Sequence, residues 1–403
     1  MFHGKINKMV EIVRKLSMDE LLEDQSIFLL GPRQTGKTTY LRRQLKGIAI
    51  SFNLLDAKTY REFLRHPERL EERVRPILKD TTEKTIIVID EVQRVPEVLA
   101  AVQNILTDFP NARFILTGSS ARKLHRDKNI NLLGGRAARV LFHGLTTDEI
   151  ADTNLTIEDQ VQWGTLPSVL LAKNRALLLD SYVDLYLKEE IVAEAITRKL
   201  ADFERFLETS ALCQGQQVVF SKIASDMGID QKTCRSWFQV LEDTLVGHLL
   251  PCFDGTERRK AVSSAKFYFF DPGIANALLG RLSLRKGTPE YGVALETLVH
   301  ENLRAKIDST RNKAKLSYWR SVDHYEVDFV VQHRSGVAAI EVKGTETLSK
   351  SDFRGLRALA DEEIPSLKKI IVCHESMRRE TSDGVLVLPV AEFFRDLWSG
   401  AIF

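Results

Sequence analysis

The segment that decides the fold is SIFLLGPRQTGKTTYLRRQL, residues 26–45. Its apolar start predicts a buried strand, the glycine-bounded stretch predicts a tight loop, and the remainder has helical spacing. The loop, residues 31–38, matches the pattern G-x-x-x-x-G-K-T at every required position. Glycines in such a loop let backbone N–H groups point at phosphate oxygens, and the following helix adds the positive end of its dipole. The sequence therefore predicts a phosphate-binding loop.

The phosphate-binding loop predicts a nucleotide site with Mg²⁺ as cofactor. We expect Lys37 to reach the β- and γ-phosphates of ATP, and Thr38 to hold Mg²⁺. A chance glycine-rich turn is the alternative, and the strand-loop-helix context argues against it. The predicted nucleotide-binding residues are Gly31, Pro32, Arg33, Gln34, Thr35, Gly36, Lys37, Thr38, Thr39, Asp90 and Ser119.

A second apolar run, in KTIIVIDEVQRVPEV (residues 84–98), ends in two acidic residues. The run itself is typical of a buried parallel strand. Asp90 at its carboxyl end is expected to be the second Mg²⁺ ligand, and Glu91 to polarise the attacking water. An acidic cap on the next helix is the alternative, and the pairing with the loop favours the catalytic interpretation.

Hydroxyl and arginine side chains supply further candidates. ARFILTGSS, residues 112–120, ends in Thr117, Ser119 and Ser120, of which Ser119 is expected to sense the γ-phosphate. An N-cap for the next helix is the alternative role. Arg136, with Arg139 nearby, could stabilise transition-state charge on the ATP of a neighbouring subunit, or could be an ordinary surface charge. We expect all of these residues at the carboxyl ends of the strands.

The apolar runs define the fold class. They lie near residues 27–30, 49–54, 86–89, 113–117 and 138–142, separated by helical segments. This alternation predicts an α/β fold with a parallel sheet of about five strands and right-handed crossovers. Residues 146–205 have helical spacing throughout and predict a lid or connecting bundle.

Residues 206–280 predict a different module. FSKIASDMGIDQKTCRSWFQV, residues 220–240, has the pattern of a helix, a turn at Gly228 and a second helix. Two apolar runs around a polar tip follow and predict a hairpin, the wing of a winged helix. Its basic residues are Lys232 and Arg235 on the helix, and Arg258, Arg259 and Lys260 at the tip. Such a module contacts DNA or another protein, and both alternatives stay open.

The carboxyl-terminal segment YEVDFVVQHRSGVAAIEVKG, residues 325–344, carries charged residues within two apolar runs. The strand period of two places Glu341 and Lys343 on one face, and Asp328 can approach from the neighbouring strand. With Glu296 on the preceding helix, these carboxylates are predicted to bind Mg²⁺ or Mn²⁺. Glu341 and Lys343 are the predicted catalytic residues, with Lys343 orienting water. Two strands with exposed charges are the alternative.

Three residues near this cluster are second choices. Glu301 competes with Glu296 for the helix position, and Glu326 shares the strand face of Asp328. Lys350 is a further candidate for a phosphate contact. The order helix, three strands, helix, strand is the core of restriction-endonuclease-like folds.

Several of these segments together resemble one family. The segments are LLGPRQTGKTTYL, IIVIDEVQRVPEV, RFILTGSSARKL, LLGGRAARV, YLKEEI, FYFFDPGIANAL, EVDFVV and IEVKG. In them the chain resembles the AAA-type P-loop ATPases of bacteria and archaea that carry a carboxyl-terminal uncharacterised, nuclease-like domain. The resemblance implies an ATPase coupled to DNA binding and to metal-dependent nucleic-acid cleavage. The alternative is a signalling or defence switch whose last domain binds nucleic acid or protein without cleaving.

One departure from the family pattern concerns the lid. Relatives tend to carry Gly-Gly-x-Pro after the fifth strand, whereas this chain has WGTLP at residues 163–167. We therefore expect ATP binding as in the family, with a contact between lid and nucleotide that differs in detail. The predicted domains are an ATPase core (1–145), a helical lid (146–205), a winged helix (206–280) and a restriction-endonuclease-like domain (281–403).

Composition bounds the class of protein. The 403 residues include 44% hydrophobic and 28% charged residues, which is typical of a globular chain and excludes a disordered one. The net charge of +2 does not by itself indicate nucleic acid. Four cysteines without metal-ligand spacing predict a reducing, cytoplasmic location. The first twenty residues predict a charged amphipathic helix, no apolar run is long enough for a membrane span, and a homo-oligomer is expected.

Overall fold

The computed structural model describes residues 12–43, 45–120, 133–187, 200–256, 264–310 and 313–403, and elements are numbered within these ranges. A five-stranded parallel sheet in the order β2-β3-β4-β1-β5 forms the amino-terminal part. This confirms the predicted α/β sheet. Its strands are β1 (Ser26–Leu30), β2 (Ile48–Asn53), β3 (Thr85–Asp90), β4 (Ala112–Gly118) and β5 (Ala137–Leu141).

The central strands of this sheet are buried because helices cover both faces. Every residue of β1 and β3 is buried, as expected for parallel strands packed on two sides. The helices around the sheet are α1 (Met18–Leu21), α2 (Lys37–Arg43), α3 (Ala57–Arg65), α4 (Arg69–Lys79) and α5 (Val98–Asp108). The carboxyl ends of β1, β3 and β4 therefore meet at one edge.

The predicted amino-terminal helix is wrong for residues 12–17, which have no helical structure. Only the single turn of α1 forms, and residues 1–11 lie outside the described ranges. The reason is tertiary: Arg14 lies between the phosphate-binding loop and the segment after β5, contacting both. These contacts outweigh the local helix propensity.

Short helices follow the sheet and lead to a helix-turn-helix. They are α6 (Ile157–Trp163), α7 (Pro167–Leu170), α8 (Arg175–Ser181), a π-helical turn (Tyr182–Leu187) and α9 (Leu200–Leu212). Next come α10 (Phe220–Met227), α11 (Gln231–Asp243), the antiparallel pair β6 (Gly247–Leu250) and β7 (Lys266–Phe269), and α12 (Pro272–Leu278). Gly228 adopts the left-handed conformation between α10 and α11, and Asp230 caps α11.

A six-stranded mixed sheet in the order β12-β13-β11-β10-β9-β8 forms the carboxyl-terminal part. Its elements are α13 (Pro289–Thr310), β8 (Lys315–Arg320), β9 (Glu326–His333), β10 (Gly336–Val342), α14 (Arg354–Ala360), β11 (Leu367–Cys373), β12 (Arg379–Glu380), β13 (Val385–Pro389) and α15 (Val390–Ser399). Helices α13 and α15 share a core with one face of this sheet, and α14 with the other. The names winged helix and restriction-endonuclease-like domain, and the four domain boundaries, stay predictions.

The hairpin β6–β7 is joined to the carboxyl-terminal sheet. Leu250 and Tyr268 belong to the same apolar core as α13 and β9. Backbone hydrogen bonds also connect Pro251 and Phe253 to Tyr318 of the edge strand β8. Among the described residues, no helix has the length and apolarity required to cross a bilayer.

Candidate functional site

The phosphate-binding loop connects the end of β1 to the start of α2. Gln34 and Gly36 have left-handed backbones, with φ of 60° and 96°, which allows successive N–H groups to form an anion-binding concavity. Gly31 allows a close approach, because a Cβ there would lie 2.2 Å from the carbonyl oxygen of Phe142. Lys37 Nζ donates to the carbonyl oxygens of Gly31 (2.7 Å) and Pro32 (2.9 Å). The loop thus holds a buried ammonium beside its N–H groups.

Thr38 and Asp90 meet at the carboxyl edge of the sheet. The hydroxyl of Thr38 donates to Asp90 Oδ2 at 2.9 Å, and the hydroxyl of Thr117 donates to Asp90 Oδ1. A hydroxyl and a carboxylate beside a phosphate-binding loop are oxygen ligands of the kind that Mg²⁺ prefers. The residues present fit Mg²⁺, with Thr38 and Asp90 as the side chains that would hold it.

Glu91 has a strained backbone at the point where β3 ends. Its φ of 62° and ψ of 47° are left-handed, which is uncommon for a residue with a side chain and is often found at functional sites. Its N–H donates to Thr117 Oγ1 at 3.1 Å. The strain directs the Glu91 carboxyl toward the same cavity as Lys37 and Thr38.

Gln93 contacts the Glu91 side chain and is a residue that the sequence did not reveal. Its amide Nε2 donates to Glu91 Oε2 (2.5 Å) and to Ser119 Oγ (3.0 Å). Its Oε1 is buried and has no hydrogen-bond partner among the described residues. Gly118 leaves space for this amide, since a Cβ there would lie 2.6 Å from Gln93 Oε1. No sequence pattern predicts this contact, because it depends on a one-turn 3₁₀ helix after Glu91.

A cavity of about 740 Å³ lies over the loop. Its lining combines polar groups of the loop and Glu91 with apolar side chains. The lining includes Ile12, Arg33, Gln34, Thr35, Gly36, Lys37, Thr38, Thr39, Tyr40, Glu91, Leu145, Pro167, Ser168 and Leu171. A nucleotide requires both kinds of group, polar ones for its phosphates and apolar ones for its base.

The WGTLP segment reaches the phosphate-binding loop despite its departure from the family pattern. Ser168, next to this segment, donates to Gln34 Oε1 at 2.8 Å, and Pro167 lines the cavity beside Gly36. The backbone N–H of Thr165 donates to Asp271 Oδ2 at 2.6 Å. The short helices therefore connect the loop to the segment that follows β7.

Arg14 is a second residue that the sequence missed. Its guanidinium donates to the carbonyl oxygens of Thr35 and His143, both at 2.8 Å, and to Glu149 at 2.9 Å. It also lies over the ring of Phe142, 4.1 Å from the ring centroid. The contacts fix the loop against the segment after β5, and only the tertiary structure creates them.

The expectation that every candidate lies at the carboxyl ends of the strands is wrong for Arg136. It precedes β5, and its carbonyl accepts from Ser26 at the start of β1, so it lies at the opposite edge from the phosphate-binding loop. Its guanidinium donates to Thr107 Oγ1 at 2.7 Å. Its role toward the ATP of a neighbouring subunit, and the homo-oligomer that this requires, stay predictions.

The predicted carboxyl-terminal residues come together on β9, β10 and α13. Asp328 Oδ2 accepts from the backbone N–H of Val342 at 2.9 Å, which joins its side chain to β10. Lys343 Nζ donates to Glu341 Oε1 at 2.6 Å, while Glu341 Oε2 is buried with no hydrogen-bond partner among the described residues. The period of two thus brings the predicted residues to one place.

Lys266, from the first position of β7, lies among the same carboxylates. Its Nζ is 2.6 Å from Glu326, 3.2 Å from Asp328 and 3.4 Å from Glu296. Tyr268, two residues later on the same strand, donates its hydroxyl to Glu296 Oε1 at 2.5 Å. Nothing in the sequence indicated that a strand of the preceding module would reach this cluster.

Burial and mutual charge determine the ionisation of the cluster. Burial, followed by the charge of Asp328, raises the pKa of Glu296 to about 7 and that of Glu341 to about 8. Burial also opposes ionisation of Asp328, but Lys266 and Lys343 outweigh it and lower the pKa of Asp328. Burial would lower the pKa of Lys266, but Tyr268 and the surrounding carboxylates raise it well above its ordinary value.

The carboxyl-terminal cluster does not fit a divalent metal in this conformation. Its oxygen donors are of the right chemical type, but the Lys266 ammonium lies at the point where three carboxylates converge. Within the described ranges, no group of three or more His, Cys, Asp or Glu side chains is arranged to hold a metal ion. The metal-binding role of Glu296, Asp328 and Glu341 stays a prediction.

The second-choice residues have other partners. Glu301 lies 3.1 Å from both His300 and Arg304 and 3.5 Å from His143, which follows β5 of the first sheet. Glu326 contacts both Lys266 and Arg320, the latter at 2.8 Å. Lys350 is exposed at the start of a 3₁₀ turn. The tip residues Arg258, Arg259 and Lys260 lie outside the described residues.

Comparison with family models divides the chain into three parts. Residues 23–151 match an AAA domain. Residues 154–285 match a domain of unknown function (DUF8612), and residues 291–393 match another (DUF4143). The AAA match agrees with the loop, the parallel sheet and the acidic residues at its edge, so this part of the chain is a P-loop ATPase.

Among solved structures, the chain has weak similarity to several proteins. One is the Aeropyrum pernix ORC1 protein in complex with DNA (TM-score 0.28, 13% identity, 65% of this chain and 90% of that chain). Another is CDC6P from Pyrobaculum aerophilum (TM-score 0.26, 13% identity, 71% and 92%). A third is protein VC1899 from Vibrio cholerae (TM-score 0.22, 13% identity, 88% and 97%). Scores this low do not show a shared fold.

Two curated proteins are similar over most of the chain. They are the uncharacterized proteins Rv2008c of Mycobacterium tuberculosis and Mb2031c of Mycobacterium bovis. Each is 30% identical over 375 residues, which are 90% of this chain and 79% of the relative. The chain belongs to the same protein family as these two mycobacterial proteins, and its amino-terminal part is an AAA domain of the P-loop ATPase type.

Proposed function

We propose that the chain is a Mg²⁺-dependent ATPase that acts as a switch on its carboxyl-terminal modules. One observation carries the ATPase assignment: Lys37, Thr38, Asp90 and Glu91 converge at the carboxyl edge of one parallel sheet, beside a cavity of about 740 Å³. The contacts of Ser168 with Gln34 and of Thr165 with Asp271 support the coupling to the later modules. Phosphoryl transfer depends mainly on positioning and charge stabilisation, and this convergence supports both.

The side chains divide the work of hydrolysis. Lys37 exchanges its carbonyl partners for the β- and γ-phosphates, a stronger pairing because it joins opposite charges. Thr38 and Asp90 would hold Mg²⁺, which neutralises charge on the phosphates when bound. Glu91 acts as the base that orients and polarises the attacking water, and Ser119 lies beside it through Gln93.

The assignment of Glu91 is tested by Glu91→Gln in the full chain. We expect retained ATP binding and a fall in hydrolysis of about 10²- to 10⁴-fold, the usual contribution of a general base. Glu97→Gln is the matched control, because Glu97 is exposed and only six residues away. Unchanged turnover in Glu91→Gln, measured by phosphate release, would remove Glu91 from the mechanism.

We further propose that the helix-turn-helix contacts DNA. Lys232 and Arg235 are exposed on α11, which supports a phosphate-facing surface. Replacing both with alanine should weaken DNA binding and reduce its salt dependence by about one unit of slope per lost phosphate contact. An unaltered affinity and slope would favour a protein partner for this module. Lys286→Ala, at an exposed lysine before α13, is the control.

Metal-dependent nucleic-acid cleavage by the carboxyl-terminal domain is the second candidate function. Its support is the convergence of Asp328, Glu341 and Lys343 on neighbouring strands. The alternative function is that of a switch whose last domain binds nucleic acid or protein without cleaving. The position of Lys266 among the carboxylates supports this alternative. No metal-bound step follows from the present arrangement.

Cleavage assays distinguish these two forms. Plasmid DNA and structured RNA are incubated with the ATP-bound chain and Mg²⁺ or Mn²⁺. Cleavage that disappears in Asp328→Asn and Lys343→Ala supports the nuclease, whereas cleavage that survives both substitutions indicates a contaminant. If no cut is seen and nucleic acid is still bound, the switch without cleavage is the better description.

A further inference from the structure

The hairpin β6–β7 places the Lys266 ammonium in the acidic cluster of the carboxyl-terminal domain. This cluster consists of Glu296, Glu326, Asp328 and Glu341. Lys266 and Tyr268 lie two residues apart on β7 and therefore point to the same side of the strand. Both reach Glu296, the ammonium at 3.4 Å and the phenol hydroxyl at 2.5 Å. Two adjacent positions on one strand face are thus used for the same carboxylate.

The backbone of β7 is held from both sides. On one side β6 pairs with it, with Leu250 opposite Lys266. On the other side Phe267 exchanges hydrogen bonds with the segment before α10, donating to Gln216 at 3.1 Å and accepting from Gly215 at 2.8 Å. The Lys266 ammonium is therefore positioned by the fold and not by a mobile loop.

The Lys266 ammonium is buried and surrounded by charged and aromatic partners. Lys266 is 2% exposed, and three carboxylates lie within 3.4 Å of its Nζ. The Tyr318 ring lies on a further side, 5.5 Å from the Nζ. Gly215 also approaches, because a Cβ there would lie 3.2 Å from Glu296 Oε1. An ammonium with three anionic partners in a buried place has the contacts that offset its desolvation.

Charge balance explains why a cation is required. Four carboxyl groups, those of Glu296, Glu326, Asp328 and Glu341, are paired with three cations, those of Lys266, Lys343 and Arg320. Carboxylates that converge in a buried place repel each other unless a cation or protons compensate them. A divalent metal would do this, but Lys266 already occupies the point of convergence and would repel a metal.

We propose that the acidic cluster is a closed ammonium site, in which Lys266 takes the place of a divalent metal. The site then has two exclusive occupants, a lysine supplied by the chain itself and a divalent cation. The inference concerns the site of the second candidate function, but it requires neither cleavage nor ATP hydrolysis.

Metal binding tests the exclusivity of the two occupants. Mn²⁺ alone is titrated into the nucleotide-free full chain carrying Asp90→Asn, which removes the other carboxylate expected to bind it, and is followed by electron paramagnetic resonance. Adding Lys266→Met should create one Mn²⁺ site per chain, at least tenfold tighter than with Lys266 present. Adding Asp328→Asn to that variant should abolish the new site. Lys286→Met is the matched control at a surface ion pair.

Two results would overturn the proposal. One is equal Mn²⁺ affinity with and without Lys266, because the ammonium would then not hold the metal position. The other is a folded Lys266→Met variant, judged by circular dichroism, that binds no Mn²⁺, which would leave a purely structural ion pair. The conclusion from the Mn²⁺ titration does not depend on the outcome of the ATPase or cleavage assays.

Lysine acylation tests the closed state even if Lys266→Met does not fold. The unmodified chain is treated briefly with an amine-reactive ester, and modification is quantified by mass spectrometry. Lys266 should react at least tenfold more slowly than the exposed Lys286, because its ammonium is buried and paired. Equal rates would mean that the hairpin does not close the site, and would reject the proposal.

Discussion

Two buried lysines, Lys37 and Lys266, have opposite surroundings. Lys37 is 5% exposed and donates to the backbone carbonyl oxygens of Gly31 and Pro32. Lys266 is 2% exposed and faces three carboxylates. An ammonium gains when it exchanges a carbonyl oxygen for a phosphate oxygen, whereas one that already faces three carboxylates gains little from an anionic ligand. The first lysine is ready to bind phosphate, and the second closes a site.

Among the variants that compare the two lysines, Lys37→Met has the largest expected effect on turnover. Loss of the ammonium should lower ATP turnover by about 10²- to 10³-fold, the usual effect of removing one charge-stabilising group. The free energy of unfolding should change by about 1 kcal/mol, because the hydrogen bonds to the carbonyl oxygens of Gly31 and Pro32 are lost. Turnover and chemical denaturation are measured on the same preparation. A strong loss of stability would contradict the contrast between the two lysines.

Lys266→Met should have the opposite profile. The three carboxylates lose their cation, and the free energy of unfolding should fall by about 3–5 kcal/mol, as when one partner of a buried ion pair is removed. ATP turnover per folded chain should stay within about twofold. Adding Glu296→Gln should recover part of the stability, because one of the repelling carboxyl groups becomes neutral. No recovery would mean that packing, and not charge, sets the stability at this position.

The pH dependence of stability sharpens the comparison. Burial raises the pKa of Glu296 to about 7 and that of Glu341 to about 8, whereas the ordinary pKa of a glutamate is 4.5. Above pH 4.5 the folded chain therefore binds more protons than the unfolded chain. The free energy of unfolding should therefore fall as pH rises from 6.5 to 8, by about 1–2 kcal/mol. The raised pKa of His143, which is buried but bonded to Asp308 and Glu301, acts in the same direction.

Glu341→Gln isolates one contribution to this slope. In this variant the free energy of unfolding should fall less steeply with rising pH, because a glutamine has no proton to lose. His248 and His300 have pKa values lowered by burial, and their opposite effect fades as pH rises past 6.5, the ordinary value of histidine. Denaturation curves across the window measure the slope, with Glu97→Gln as the control. An identical slope in wild type and Glu341→Gln would remove Glu341 as its source.

Gln93→Ala has the smallest expected effect and concerns the ATPase side. The Gln93 amide donates to the carboxylate that must polarise water, so its removal should raise basal turnover by about two- to fivefold. Steady-state phosphate release is the measurement, and Gln103→Ala, on α5, is a control glutamine. A fall as deep as that of Glu91→Gln would instead make Gln93 a residue that positions the base.

The two sites differ in how much the sequence could reveal. The loop of residues 31–38 is contiguous, and Asp90 and Glu91 end an apolar strand, so local patterns located them. Arg14 escaped because its partners lie on other elements, as distant in sequence as Glu149. Gln93 escaped because its contact with Glu91 depends on the one-turn 3₁₀ helix after Glu91, and its other partner, Ser119, follows a different strand. The predicted amino-terminal helix failed for the same reason, since tertiary contacts of Arg14 replaced it. Arg136 was assigned to the wrong edge because chain order does not show where a strand begins.

By itself the sequence determined the parallel sheet, the phosphate-binding loop and the strand faces that carry Asp328, Glu341 and Lys343. These features follow from periods of two and 3.6 residues and from glycine positions, which act over short stretches of chain. Only the tertiary structure decided that Lys266 lies among those carboxylates, because residue 266 and residue 328 meet through the docking of β7 against α13 and β9. A long-range ion pair has no local signal, since its energy arises only when burial removes water from both partners.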